Sequence, residues 1–374
     1  MENQYRVTGL MSGSSLDGID LACCDFIYER EGWNFRILEA ETFPYPPLLR
    51  EKLHQAIHWS RPELEKLDKE TGAYYAFILN QFHAKHDLNP DLISSHGHTV
   101  FHQPEAGFTM QAGDPQVIAT STGITTAGDF RKMDILLGGQ GAPLVPVGDE
   151  YLFGEYDFCL NLGGFANISY KPGEERLARD VCPVNIILNQ LAAELDLPYD
   201  RDGYAGKSGN ISESLLSRLN SIDYYHTAGP GSLGREWVEY EFMPVIRDFN
   251  LPVTDILRTM YEHISFQITR QIRRGARVLV TGGGAYNKFL VDRIRENSRG
   301  NIIIPSNDLI EYKEALIFAF LGWLRYHERI NCFASVTGDI IVLSGFMALT
   351  ASEGFAGGVP AQPNMLVTIS REPQ

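Results

Sequence analysis

Cysteine is scarce in this chain. Five occur in 374 residues (Cys23, Cys24, Cys159, Cys182 and Cys332), and none forms a Cys-x-x-Cys pair. That usage argues against a disulfide framework and a zinc site, and points to a reducing compartment. Basic residues are outnumbered, 32 Lys and Arg against 47 Asp and Glu, for a formal charge of −15. A nucleic-acid backbone needs a basic face, so a dedicated nucleic-acid binder is disfavoured. A small acidic substrate would need a local positive pocket. Long apolar runs are missing too. The longest helix-like apolar stretch, Ala315–Leu324, falls short of the ~20 residues that a bilayer-spanning helix requires. The opening Met-Glu-Asn-Gln-Tyr-Arg-Val places no apolar segment behind a basic start. This predicts a cytoplasmic protein with no leader and no membrane attachment.

The rest is ordinary for a globular protein. An apolar fraction of 44% with 21% mixed-sign charge supports a core and argues against disorder. At about 150 residues per domain the length suggests two or three domains.

The first forty residues read as three strands, Tyr5–Leu10, Ile19–Tyr28 and Asn34–Phe43, closed by Pro44, Pro46 and Pro47. A helix follows, capped by Ser60 with Pro62 in its first turn. Asp91–Ser95 reads as a short strand entering a His/Gly loop. Thr254 reads as the cap of a second long helix with Ile256, Met260, Ile264, Ile268 and Ile272 on one face, and Arg277–Thr281 as a buried strand. Alternating strands and helices predict an α/β architecture. The strand–Gly turn–strand pattern of residues 5–28 recurs at Asp157–Tyr170, roughly 150 residues later, which suggests two similar domains.

Three Gly/polar turns each follow a strand: Ser12–Gly18, Gly163–Asn167 and Gly282–Asn287. Glycine lets backbone N–H groups approach an anion that a Cβ would hold off. Asp17 or Asp20 could hold a metal ion through water. None of the turns is a Walker A or Gly-x-Gly-x-x-Gly motif. Singly each also reads as a tight hairpin; it is the threefold recurrence at strand ends that points to phosphate binding.

The first turn, Leu10-Met11-Ser12-Gly13-Ser14-Ser15-Leu16-Asp17-Gly18-Ile19-Asp20, resembles the signature of the anhydro-N-acetylmuramic acid kinases. The likeness continues at Ser95–Pro104, Asp129-Phe130-Arg131, Gly138–Pro146, Asn161–Asn167, Gly231–Glu236, Gly282–Asn287 and Glu314-Ala315, in the family's order. The resemblance implies the actin/sugar-kinase fold, with two ribonuclease-H-like domains (here 1–127 and 128–374) and ATP in the cleft between them. It implies transfer of phosphate from ATP, with magnesium, to the 6-oxygen of 1,6-anhydro-N-acetylmuramic acid. Water opens the anhydro bridge at C1, giving N-acetylmuramic acid 6-phosphate in cell-wall recycling. It further implies a homodimer.

Residue roles come with the resemblance. Asp180 aligns with the family's general base, and Glu314 belongs to its active-site cleft. The ATP set is Gly13, Ser14, Ser15, Asp17, Gly18, Asp20, Gly163, Gly164, Asn167, Gly282, Gly283, Gly284 and Asn287. The sugar set is His96, His98, Arg131, Gly139, Gln140, Gly141 and Asn185. Arg131 suits a lactyl carboxylate through its planar fork. The plain alternatives are a helix cap for Asp180, a surface ion pair for Arg131 and Asp134, a solvated first turn for Lys313-Glu314 and a simple turn for Asp202-Gly203. The chain departs from the family at Val181, Cys182 and Val184, which replace Thr and two Gly, and at His98, which replaces Gln and predicts pH sensitivity near neutrality. The altered 180–185 segment motivates two other readings: a kinase of another anhydro sugar such as levoglucosan, and a catalytically weak sugar-binding homologue. A protein-directed ATPase is the third, opposed by the Gly-Gln-Gly-Ala-Pro-Leu-Val-Pro run.

Overall fold

The computed structural model describes residues 4–13, 16–29, 32–227, 231–338 and 348–349. They form two packing units, one through Leu152 and again from Tyr312, the other Phe153–Glu311.

In the first unit the strands are β1 (Gln4–Ser12), β2 (Ile19–Glu29), β3 (Gly32–Phe43), β4 (Leu92–Gln103), β5 (Phe108–Ala112) and β6 (Thr126–Ala127). β1 and β2 pair antiparallel from Gln4↔Ile27 to Met11↔Asp20, and β3 adds antiparallel to β2. β4 lies parallel to β1, and β6 parallel to β4. The order is therefore β3-β2-β1-β4-β6, with β5 an antiparallel branch on β4 and Ala348–Leu349 beside β6. Helices α1 (Pro47–Gln55), α2 (Arg61–Lys85), α3 (Pro115–Thr122), α4 (Phe130–Leu136) and α5 (Val145–Leu152) accompany the sheet.

α2 starts where expected because Ser60 and Glu63 form a reciprocal capping box. Its Leu64, Leu67, Tyr75, Ile78 and Phe82 share one core with Leu10, Ile19, Leu21 and Ile93 of the sheet. On the other face lies the helix Asn307–Tyr326. Gly9 meets it so closely that a Cβ there would overlap Ala315 O and lie 2.7 Å from Ala319 N. Only glycine permits that approach.

In the second unit β7 (Phe158–Leu162) and β8 (Phe165–Tyr170) form the repeated hairpin, and β9 (Leu177–Pro183) adds antiparallel to β8. β10 (Arg277–Thr281) and β11 (Asn301–Ile303) extend the sheet in parallel, giving β9-β8-β7-β10-β11. α6 (Asn185–Ala193) and the helices Val253–Thr269 and Lys288–Asn297 cover it.

Leaving aside β5 and Ala348–Leu349, which add antiparallel to the first sheet, both sheets run third-second-first-fourth and then one later parallel strand, with the first three antiparallel. That is the ribonuclease-H-like arrangement, and two copies in one chain make the actin/sugar-kinase fold.

Several expectations change. The His/Gly segment after Ser95 is not a loop: β4 runs on to Gln103 because β5 pairs with it, across a bulge between Thr99 and Phe101. The Val253–Thr269 helix is preceded by Pro252, so Thr254 lies inside its first turn and does not cap it. Packing groups residues 128–152 and 312–338 with the first sheet.

Candidate active site

In the first unit, Gly13 and Gly18 lie between β1 and β2. Ser14 and Ser15 lie outside the described residues. Leu16 donates its N–H to Gly13 O at 3.3 Å from a left-handed φ of +55°. Asp17 is exposed. Asp20, at the head of β2, accepts from Thr42 Oγ1 at 2.6 Å.

Glu314 is the eighth residue of the Asn307–Tyr326 helix, so it is no first-turn residue. Beside it Lys313 is buried against Asp149 at 2.6 Å, not solvated. Burial raises the Glu314 carboxyl. Lys313 and Arg131 pull it down, while Asp20 and Asp149 push it up. Asp20 and Glu314 are thus near enough for each charge to act on the other.

Arg131, in α4, donates from Nε to His96 Nε2 at 3.0 Å and from Nη1 to Gly141 O at 2.8 Å. Nε2 must therefore accept, leaving the His96 proton on Nδ1, which donates to Gly97 O at 2.9 Å. Burial, then the Arg131 charge, hold His96 well below its ordinary value. Burial lowers the Arg131 guanidinium to about 10, so it stays charged at neutral pH.

Asp134 is buried, and ties down the Gly139–Gly141 loop. Its Oδ2 accepts from Gly141 N–H, and its Oδ1 accepts from Thr337 Oγ1 and Cys332 Sγ, both at 2.8 Å. Gly139 N–H donates to Asp134 O and Gln140 N–H to Thr337 O, each at 2.8 Å. These contacts replace the surface-pair reading of Arg131 and Asp134.

His98 Nδ1 meets Ser12 Oγ at 3.1 Å, Ser12 Oγ meets Tyr45 Oη at 2.6 Å, and Tyr45 Oη meets Tyr75 Oη at 2.7 Å. Burial pushes His98 down to about 4, so the pH sensitivity expected near neutrality is overturned. Tyr45 and Tyr75 had no signal as site residues, because their link to Ser12 spans distant parts of the chain.

In the second unit, Asp180 sits on β9 opposite Asn167 of β8. Its Oδ2 accepts from Leu233 N–H at 2.8 Å, its N–H donates to Gly231 O at 2.8 Å, and its carbonyl accepts from Tyr224 Oη at 2.7 Å. Burial raises its carboxyl, partly opposed by the Leu233 N–H, Ser232 and Arg179. It does not cap α6, whose start lacks a side-chain cap. Val181, Cys182 and Val184 are all buried in the core of this unit.

Val184 and Ile186 N–H groups bond Gly164 O at 2.8 and 3.2 Å, and Asn185 N–H bonds Gly163 O at 3.3 Å. The second glycine turn is thereby fixed to the start of α6. The third turn packs on the same place. Gly282 has φ +82°, and a Cβ there would strike Asn161 Oδ1 and lie 2.9 Å from Leu162 C. Asn287 caps the Lys288–Asn297 helix through Leu290 N–H at 3.0 Å and donates to Tyr261 Oη at 2.8 Å.

A cavity of about 510 Å³ opens here, lined among others by Asn185, Tyr199, Asp202, Gly283, Tyr286 and Asn287. Asn185, expected with the sugar set, lines this cavity together with Gly283 and Asn287. Asp202 and Gly203 form a left-handed turn, with Lys288 Nζ 3.6 Å from Asp202.

Among the described residues no three His, Cys, Asp or Glu side chains gather as a ready cage for a metal. Asp20 and Glu314 still offer the all-oxygen, one-or-two-carboxylate set that suits magnesium held mainly by water and phosphates.

Two ribonuclease-H-like sheets with glycine turns at their strand ends define an actin-like, nucleotide-handling class. A sequence profile described as "Anhydro-N-acetylmuramic acid kinase" matches residues 5–344. Relatives of that name from Shewanella pealeana and Vibrio cholerae are each 34% identical, covering 90% of this chain and 96% of theirs. One from Pasteurella multocida is 33% identical over 88% and 93%. The chain belongs to the anhydro-N-acetylmuramic acid kinase family. Among solved structures, a xylulose kinase from Lactobacillus acidophilus is similar at a TM-score of 0.40 and 12% identity over 85% of this chain and 89% of that one; the fold assignment rests on the strand orders above.

Proposed function

We propose that the protein is an ATP-dependent kinase that phosphorylates the 6-oxygen of 1,6-anhydro-N-acetylmuramic acid while water opens the anhydro bridge. Asp180 carries this reading within the family. Its carboxyl is half-buried and raised, and one oxygen is fixed on Leu233 N–H. A carboxylate held this way suits a general base, because its acidity is moved toward the working pH and its direction is set.

In the reaction, Asp180 takes a proton from water as the water oxygen bonds C1. The C1–O6 bond breaks and O6 attacks the γ-phosphorus. The bond from γ-phosphorus to the bridging oxygen breaks, and ADP leaves. Positioning and charge neutralisation do most of the work in phosphoryl transfer. The three glycine turns are assigned to the phosphates and nucleoside. Arg131 and the Gly139–Gly141 loop are assigned to the sugar and its lactyl carboxylate. Magnesium, when bound, neutralises the developing phosphate charge, and Asp20 and Glu314 would hold it through water, with exposed Asp17 nearby in sequence.

The substitutions at 181, 182 and 184 fit this reading, since those side chains serve the core. A cytoplasmic location and a symmetric homodimer go with it. The test is turnover in 18O water. Mass spectrometry is expected to find the label on C1 and phosphate on O6. Phosphate at O6 with no label at C1 would remove water attack from the reading.

A further inference from the structure

β9 is the outer strand of the second sheet. An outer strand presents main-chain groups that no neighbouring strand satisfies. At Asp180 both are met from beyond the sheet. Its N–H donates to Gly231 O at 2.8 Å, and its carbonyl accepts from Tyr224 Oη at 2.7 Å. A phenol thus closes the edge where a further strand would have offered a backbone N–H. The same stretch of backbone serves the side chain, because Leu233 N–H, two residues after Gly231, donates to Asp180 Oδ2 at 2.8 Å.

Tyr224 is built into this arrangement at both ends. Its main chain lies in the turn Asp223–His226, where Thr227 Oγ1 donates to its carbonyl at 2.8 Å. Its ring packs against Trp237, with centroids 5.5 Å apart, and the Arg179 guanidinium lies 5.7 Å from its centroid. Its hydroxyl end meets Gly231 so closely that a Cβ there would be 2.8 Å from Oη and 3.1 Å from Cε2. Burial raises the phenol above its ordinary value, so at neutral pH it keeps the proton that it donates.

We infer that Tyr224 is a positioning residue for the general base: bonded to the Asp180 carbonyl and packed on Gly231, it holds residues 231–233 where Leu233 N–H fixes the direction of the Asp180 carboxylate. This rests on the assignment of Asp180 to the attacking water. A small displacement of a catalytic group is enough to slow a reaction substantially, so the phenol acts on the rate without touching the substrate.

The test is steady-state ADP release by the full chain with magnesium-ATP and 1,6-anhydro-N-acetylmuramic acid, followed as a function of pH. Tyr224→Phe keeps the ring and removes the bond to Asp180 O. Gly231→Ala crowds the phenol from the other side, should the first variant not fold. Either is expected to lower kcat about tenfold or more, with KM for sugar and ATP within about twofold. Leu233 N–H holds the Asp180 carboxyl down. Loosening that bond lets the carboxyl rise, so the acid limb of kcat is expected to move to higher pH. In an Asp180→Asn background no base remains to be directed, and Tyr224→Phe is expected to change kcat by less than about twofold. Folded Tyr224→Phe protein with kcat within about twofold of the unaltered protein and an unmoved acid limb overturns the inference. So does an equal loss of kcat with and without Asp180. Full turnover by Asp180→Asn alone would instead overturn the general-base assignment, whatever Tyr224 does.

Discussion

Arg131 Nε donates to His96 Nε2 at 3.0 Å, and the same guanidinium reaches Gly141 O at 2.8 Å. One planar fork thus joins β4 to the Gly139–Gly141 loop and fixes the His96 tautomer. A lysine offers no such fork. Arg131→Lys is expected to fold, and to lose about 10- to 100-fold in kcat/KM for the sugar, since each bond to a charged donor contributes roughly 1.5–3 kcal/mol. Steady-state kinetics checks this. An unchanged kcat/KM would detach Arg131 from the site.

His98 provides a pH prediction. Its value near 4 lies below the ordinary value of about 6.5. Between those limits the unfolded chain binds a proton that the folded chain refuses. The His98 contribution to stability is therefore complete above about pH 7 and is lost as pH falls from about 6.5 towards 4. Proton NMR is expected to show a His98 ring signal that does not titrate between pH 5.5 and 8. A midpoint near 6.5 would contradict its burial.

The pair Lys313–Asp149, at 2.6 Å, is buried on both sides. Removing one partner strands the other charge. Lys313→Met is expected to cost about 3–5 kcal/mol, read from the urea midpoint. Loss below about 1 kcal/mol would mean that the pair is not a buried ion pair in solution.

Gly282 adopts φ +82° against the Leu162 backbone. Gly282→Ala adds strain and overlap where the third glycine turn meets the second. A loss on the order of 2 kcal/mol is expected, together with weaker ATP binding by titration. Normal ATP affinity in a stable variant would remove this turn from the nucleotide site.

Much of the fold was legible because its signals are local. β1 to β3 show as short runs between glycine and proline, and Ser60 caps α2 through Glu63 three residues on. The repeated hairpin at Phe158–Tyr170 needed only the pattern of the first. Pairing was harder to read. Gly97 lowers the strand signal of the His/Gly run, yet β5 pairs with it and carries β4 on to Gln103. Glu314 reads as near a helix start, whereas the helix begins at Asn307, seven residues earlier.

The site divided similarly. Its glycine turns and Arg131 stand in continuous motifs. Tyr45 and Tyr75 are linked to Ser12 through hydrogen bonds between distant parts of the chain, which no local pattern reveals. Val181, Cys182 and Val184 read as departures at a substrate loop, but they point into the core of their unit.

The most direct measurement is ADP release from the purified protein with magnesium-ATP, with and without 1,6-anhydro-N-acetylmuramic acid. ADP release is expected to depend on the sugar, and to fall about 10²- to 10⁴-fold in a folded Asp180→Asn variant. No stimulation by the sugar, in protein shown to be folded and to bind ATP, would contradict the account.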